Sequence, residues 1–312
     1  MKVLVTCPPM VRMIDEFRPS FATLGVEVDA PAVVQTLPEA ELIALVPKYD
    51  GWIIGDDPAT RAVFTAGRAG RLRAAVKWGV GVDNVDFVAA RELGLPITNT
   101  PGAFGGEVAD VAVAYVTMLA RELTTIHDGV RAGSWPKPAG VSLAGKTVAL
   151  VGYGDIGRNV GRRLAAADMR LIAYDPALTQ PVDGVEVAEW PARVEEADFI
   201  VLTCALTAKN RHMLNAAVLA RAKRGVRIVN VARGPLIDES ALIAALTSRQ
   251  VRSAALDVFE VEPLPMDSPM RAFEQCVFGS HNGSNTVDAV RRTSERAIGL
   301  MAGFLGIGER PL

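Results

Sequence analysis

Four side chains in the second half of the sequence have the types and spacing to do chemistry together. Arg233 stands in Asn230-Val231-Ala232-Arg233-Gly234, and Asp257 sits at the end of an apolar run. Glu262 follows in Glu260-Val261-Glu262-Pro263, and His281 in Gly279-Ser280-His281-Asn282-Gly283. A planar guanidinium, carboxylates and an imidazole suggest a division of labour if they converge beside a reactive cofactor. They follow runs that read as β-strands, and open α/β sheets bind ligands beyond the carboxyl ends of their strands.

The cofactor is legible in Val148-Ala149-Leu150-Val151-Gly152-Tyr153-Gly154-Asp155-Ile156-Gly157. A β-branched apolar run, a glycine turn and the amphipathic pattern Ile156, Val160, Leu164 follow one another, as a strand, turn and helix would. Gly152 permits the tight turn, Gly154 lets the backbone approach a pyrophosphate, and Gly157 lets helix and strand pack closely. The helix amino end at Asp155 and Ile156 offers N–H groups to phosphates. The next apolar run, residues 171–174, ends in Asp175, where a carboxylate accepts a hydrogen bond from a ribose 2′-hydroxyl and repels a 2′-phosphate. NAD is therefore expected in preference to NADP.

Composition fits two cores and excludes other classes. The chain has 312 residues, half of them hydrophobic, a length that suggests about two domains. A formal charge of −2 predicts no affinity for nucleic acid or anionic membranes. Cys7, Cys204 and Cys276 are spread too widely for a disulfide framework or a zinc pattern, which fits a reducing, cytoplasmic setting and no metal. The apolar stretch 108–120 is too short to span a bilayer and contains Asp110. The amino terminus reads as a first strand ending before Pro8-Pro9, with no exporting hydrophobic region.

Strand and helix patterns alternate twice along the chain. The first pass predicts strands at residues 2–5, 26–28, 52–54, 75–78 and 96–98, with helices at 39–46, 60–66 and 85–93 between them. The second begins at the glycine motif and continues through strands at 198–202, 227–231, 254–258 and 277–278. The expected fold is α/β, with two doubly wound parallel-sheet domains: a Rossmann NAD-binding domain, residues 100–286, inserted into a flavodoxin-like substrate domain, residues 1–99 and 287–312. Residues 107–121 are apolar on nearly every side and are expected to be buried between domains or subunits. A last helix carrying Val290, Ala297, Met301 and Phe304 returns the chain to the first domain, making a cleft that could hold substrate and close.

These stretches together resemble the D-isomer-specific 2-hydroxyacid dehydrogenase family over nearly the whole length. Besides the glycine motif, the matching segments are Gly79-Val80-Gly81-Val82-Asp83-Asn84-Val85-Asp86, Thr98-Asn99-Thr100-Pro101-Gly102, the run from Asn230 to Glu239, the run from Leu256 to Pro263, and His281-Asn282-Gly283-Ser284-Asn285-Thr286. The resemblance implies a homodimer that transfers hydride between NAD and C2 of a small 2-hydroxy or 2-keto acid. It implies that Arg233 pairs with the substrate carboxylate and polarises the keto oxygen, a task for a fork of fixed donors. His281 is then the acid/base, and Glu262 favours its protonated form. Asp257 is assigned to the nicotinamide carboxamide, Thr207 and Val231 to the cofactor, and Val80 and Gly81 to the substrate carboxylate.

Some positions depart from the family pattern. Ser280 and Ala205 stand where proline is common, and Val80 where many phosphoglycerate dehydrogenases carry threonine. At Ile54-Gly55-Asp56-Asp57 those enzymes show an arginine and a serine, suited to a phosphate. Two acids would repel one, although Lys77 keeps a positive charge nearby. A non-phosphorylated 2-keto acid is expected, with a hydroxyl that Asp56 or Asp57 could accept from; 3-phosphoglycerate is the alternative substrate. The alternative class is an NADH-binding regulator of the corepressor type, which would bind cofactor without turnover. The remaining histidines, His127 and His212, read as surface or packing groups.

Overall fold

The computed structural model describes residues 1–182 and 184–307. They divide into two compact units, Met1–Phe104 with the chain from Asn285 onward, and Gly105–Ser284.

In the first unit, β1 (Lys2–Val5), α1 (Pro8–Arg12), α2 (Ile14–Thr23), β2 (Glu27–Asp29), α3 (Glu39–Leu45), β3 (Gly51–Ile54), α4 (Arg61–Ala69), β4 (Ala74–Lys77), α5 (Phe87–Glu92) and β5 (Ile97–Asn99) follow in order. The sheet is parallel, in the order β2-β1-β3-β4-β5, which is the flavodoxin-like winding. Every residue of β3 and β4 is buried, as parallel strands covered on both faces must be. Trp52 meets Phe64 of α4 edge-on at 6.2 Å in the core. β1 ends before Pro8-Pro9, as expected, and these prolines begin α1, because a first-turn proline has no intrahelical hydrogen bond to lose.

The second unit contains α6 (Gly105–Arg121), α7 (Leu123–Arg131), β6 (Thr147–Val151), α8 (Asp155–Ala165), β7 (Arg170–Tyr174), β8 (Glu186–Val187), β9 (Phe199–Leu202), α9 (Ala216–Arg221), β10 (Val226–Asn230), α10 (Glu239–Thr247), β11 (Val251–Leu256) and β12 (Val277–Phe278). Its parallel sheet runs β12-β11-β10-β9-β6-β7-β8, the Rossmann order with one further strand. α11 (Val287–Leu305) belongs to the first unit. The Thr286 hydroxyl caps it by accepting from Ala289 N at 3.1 Å, and Ser294 Oγ accepts from Trp78 Nε1 at 3.1 Å. Val290, Ala297 and Met301 form the expected buried stripe, which Leu305 completes while Phe304 stays half-exposed.

α6 is only partly covered within its own unit. It buries one stripe, including Val108, Ala109, Ala112, Val116 and Leu119, against α8, β10 and β11 of its own unit. Asp110 and Ala114 on another face are exposed. The small residues allow a close approach to α8, whose buried positions include Gly157 and Gly161. Arg163 then pairs with Asp110 at 3.0 Å.

Candidate active site

The glycine turn adopts the geometry its residues require. Gly152 has φ +94°, and a Cβ there would lie 2.6 Å from the Cys204 backbone at the end of the neighbouring strand β9. A Cβ on Gly157 would collide with the Gly152 carbonyl, whereas the space in front of Gly154 is open. Two glycines are thus required by packing, and the third leaves room for an approaching group. Asp175, just past β7, accepts from Tyr153 N at 2.7 Å and from Ala177 N at 2.9 Å, so its carboxylate is held against the turn. Open space at Gly154, first-turn N–H groups of α8 and a fixed acid at the end of β7 fit a dinucleotide. Beyond β9, Asn210 Oδ1 accepts from the amide and hydroxyl of Thr207 at 2.7 and 3.1 Å. Val231 is buried just after β10.

The four reactive side chains are positioned by loops that follow β10, β11 and β12. Asn230, which closes β10, accepts from Ala232 N at 3.0 Å and donates to the Arg233 carbonyl at 2.9 Å, so its side chain shapes the loop that carries the guanidinium. Gly234 lies so close to Phe259 and Glu260 that a Cβ would collide with their backbone. This contact locks the Arg233 loop to the turn bearing Glu262. Glu262 Oε1 accepts from Phe259 N at 2.9 Å, closing that turn, and Oε2 lies 2.8 Å from His281 Nδ1. With Nδ1 against the carboxylate, any proton exchange by the ring would fall to Nε2.

Asp257 does something the sequence did not disclose. Its buried carboxylate accepts from Asn282 N at 3.0 Å and Gly283 N at 2.8 Å, and its carbonyl accepts from His281 N at 2.7 Å. The His281 loop is therefore strapped to the end of β11. These bonds hold His281 at φ +55°, a left-handed conformation uncommon outside glycine and associated with functional sites. Gly279 fits because a side chain there would strike Asp257 and the Tyr115 hydroxyl. Burial, and then the Asp257 charge, push the Tyr115 phenol up to about 12.

In the first unit, the loop after β4 is equally constrained. Gly79 has φ +116° and donates to Thr100 Oγ1 at 2.8 Å, and Asn99 Nδ2 donates to the Val80 carbonyl at 3.2 Å. Val80 is exposed and Gly81 half-exposed. Lys77 is only 3 % exposed, and its ammonium donates to Asp56 Oδ1 at 3.1 Å and to the Trp78 carbonyl at 3.0 Å. The two acids of the Asp56-Asp57 pair diverge. Asp57 is buried and accepts from Leu37 N, Gly55 N and the Thr6 hydroxyl, so it braces the ends of β1 and β3 and is not a substrate acceptor. Burial raises its pKa, against those hydrogen bonds.

His212, read as a surface or packing group, is half-buried. Its Nε2 lies 2.5 Å from Glu260 Oε1, a partner 48 positions away that no motif connects to it. Cys7 and Cys276 are buried and Cys204 half-buried, and burial pushes the Cys204 thiol up to about 11, which makes it a poor nucleophile. Among the described residues no cluster suits a metal ion, and no helix is long and apolar enough to cross a membrane.

Comparison with known proteins agrees with this geometry. Residues 113–283 match the family described as D-isomer specific 2-hydroxyacid dehydrogenase, NAD binding domain. The hydroxypyruvate reductase of Thermotoga maritima is 37 % identical over 277 residues, covering 87 % of this chain and 90 % of that protein. The chloroplastic D-3-phosphoglycerate dehydrogenase 3 of Arabidopsis thaliana is 41 % identical over 256 residues, 78 % of this chain; the match spans only 43 % of that longer protein. The apo structure of D-lactate dehydrogenase from Escherichia coli superposes with a TM-score of 0.82 at 29 % identity, covering 98 % of each chain. A glycine turn shaped for NAD and sequence identity across both units lead to one conclusion: the chain belongs to the D-isomer specific 2-hydroxyacid dehydrogenase family.

Proposed function

We propose that the protein interconverts a small, non-phosphorylated 2-keto acid and its 2-hydroxy acid, with Arg233, Glu262 and His281 as the catalytic residues. The observation that carries this reading is the 2.8 Å contact between His281 Nδ1 and Glu262 Oε2, on the same unit as the dinucleotide turn. When bound, NAD supplies or accepts the hydride at C2 of the substrate. Gly152, Gly154, Asp155, Ile156 and Gly157 hold its pyrophosphate through backbone contacts, and Asp175 its ribose. Thr207, Val231 and Asp257 complete the cofactor surface.

Arg233 binds the substrate carboxylate and directs a donor at the keto oxygen, lowering the cost of charge that develops there. His281 Nε2 gives its proton to that oxygen in reduction and takes one from the hydroxyl in oxidation. Glu262 keeps the ring oriented and stabilises its cation. In the first unit, the N–H groups of Val80 and Gly81 are assigned to the carboxylate, and Lys77 to the other end of the substrate.

The Asp56–Lys77 pair supports the substrate class. A buried ammonium already balanced by a carboxylate has little left to offer a phosphate dianion, whereas the pair can both donate to and accept from a hydroxyl. Hydroxypyruvate is the simplest acid of that description, and the relationship to a hydroxypyruvate reductase points the same way. NADH oxidation measured over a panel of keto acids should rank hydroxypyruvate above phosphohydroxypyruvate. Asp56→Ser should shift the ratio of their kcat/KM toward the phosphorylated acid by roughly tenfold, equivalent to about 1.4 kcal/mol. Phosphohydroxypyruvate as the best substrate of the unaltered protein would sink this assignment.

A homodimer belongs to the same reading. α7 buries none of its residues within the chain, and Leu123, Val130 and Trp135 are exposed, an apolar face of the kind that subunits cover. Sedimentation velocity should give the mass of two chains at micromolar concentration. A species of one chain throughout would refute it.

A further inference from the structure

Beside the Glu262–His281 pair lies a second imidazole–carboxylate pair to which the reaction assigns nothing. His212 Nε2 and Glu260 Oε1 are 2.5 Å apart, an ion pair when the ring is protonated; both atoms are buried, and neither makes a hydrogen bond among the described residues. Glu260 precedes Glu262 by two positions in the turn that Phe259 N closes on Glu262. Its own N–H donates to Glu239 Oε1 at 2.6 Å, at the first residue of α10. His212 N donates to the Pro235 carbonyl at 2.8 Å, in the loop that carries Arg233. The imidazole thus comes from a third segment and reaches across the junction of the two catalytic loops.

Charge gives the arrangement a consequence beyond holding loops together. Burial raises the Glu239 pKa; the bond from Glu260 N opposes this, and the charges of Glu260 and Glu262 add to it. Three carboxylates therefore share one region, with His212 and His281 as imidazole counterparts to two of them. Charged groups on the adjoining elements include Arg233 on the β10 loop, whose neighbour Gly234 packs on Phe259 and Glu260, Asp238 at the start of α10, and Asp257 at the end of β11, with the Tyr115 phenol of α6 next to it. Lys209 and Arg211, on the segment of His212 itself, are exposed. An ionised Glu260 without its partner would add uncompensated negative charge near Glu262 and favour the cation of His281.

We propose that His212 is a positioning residue whose pairing with Glu260 sets the pH range over which His281 carries its proton. This rests on the reading of His281 as the acid/base, but it can be tested without turnover. The chain has three histidines, so the imidazole signals can be assigned in NMR spectra of the full-length protein with one His→Gln variant for each.

In His212→Gln the titration midpoint of His281 should rise by about half a unit or more, because the Glu260 carboxylate loses the imidazole that faces it. In the double variant His212→Gln/Glu260→Gln, with the pair removed as a neutral whole, the midpoint should return close to that of the unaltered protein. A purely structural role would not reverse when the second residue is removed. An unmoved midpoint in His212→Gln, or a double variant that remains as far displaced as the single one, would overturn the proposal. If His281 is not the acid/base, that failure appears separately, as a pH dependence of kcat/KM that does not follow the His281 midpoint.

Discussion

Replacing His281 by asparagine is expected to lower kcat for 2-keto acid reduction by about 10³-fold, within the range found for a positioned acid/base. The loop should survive the change. Its conformation is held by backbone groups, His281 N on the Asp257 carbonyl and Asn282 N and Gly283 N on the Asp257 carboxylate, and asparagine tolerates the left-handed φ of this position better than most residues. NADH affinity, read by fluorescence titration, should change by less than about threefold. Glu262→Gln should cost less, because the ring loses its counter-charge but keeps a hydrogen-bonding neighbour. With His281 as the proposed acid, reduction should fail as pH rises through the midpoint of its titration and oxidation as pH falls through it. An asparagine variant that keeps a tenth of the original kcat would remove His281 from the mechanism.

The second large effect is expected at Arg233. Truncation to alanine removes a charged partner of the substrate carboxylate, a loss of about 2–5 kcal/mol for a desolvated pair, or roughly 30- to 4,000-fold in kcat/KM. Arg233→Lys should recover only part of this, since an ammonium cannot present two donors in a plane to a carboxylate. The loop itself should hold, because Asn230 binds the backbone of residues 232 and 233 and would keep doing so when the 2.9 Å bond from Arg233 Nη1 to the Ala232 carbonyl is lost. The effect should fall on kcat as well as KM if the guanidinium also stabilises charge on the keto oxygen. A loss confined to KM would leave Arg233 with carboxylate binding alone.

The two sites differ in how far the sequence discloses them. Gly152, Gly154 and Gly157 and the acid at Asp175 are legible because their roles are local: a strand, a turn and a helix in close succession impose a spacing. Arg233, Glu262 and His281 are legible as types placed after strands, and the family resemblance supplies the role proposed for each. Asp257 was visible as a strand-end carboxylate to which the family resemblance gives a cofactor role, but not as the strap of the His281 loop, because the N–H groups it holds come from residues 282 and 283. Asp56 and Asp57 read as equivalent neighbours, yet one pairs with Lys77 and the other is sealed under Thr6, Leu37 and Gly55.

By itself, then, the sequence determined the two parallel-sheet windings, the dinucleotide turn, the family and NAD as its cofactor. These follow from periodicity, from glycine's freedom at a tight turn, and from chemistry that only certain side chains can perform. The tertiary structure alone decided that α6 packs within its own unit, that Asp57 braces the ends of two strands, and that His212 meets Glu260. Each of those outcomes depends on contacts between residues distant along the chain, and burial and charge in the assembled core select such contacts with no trace in local spacing.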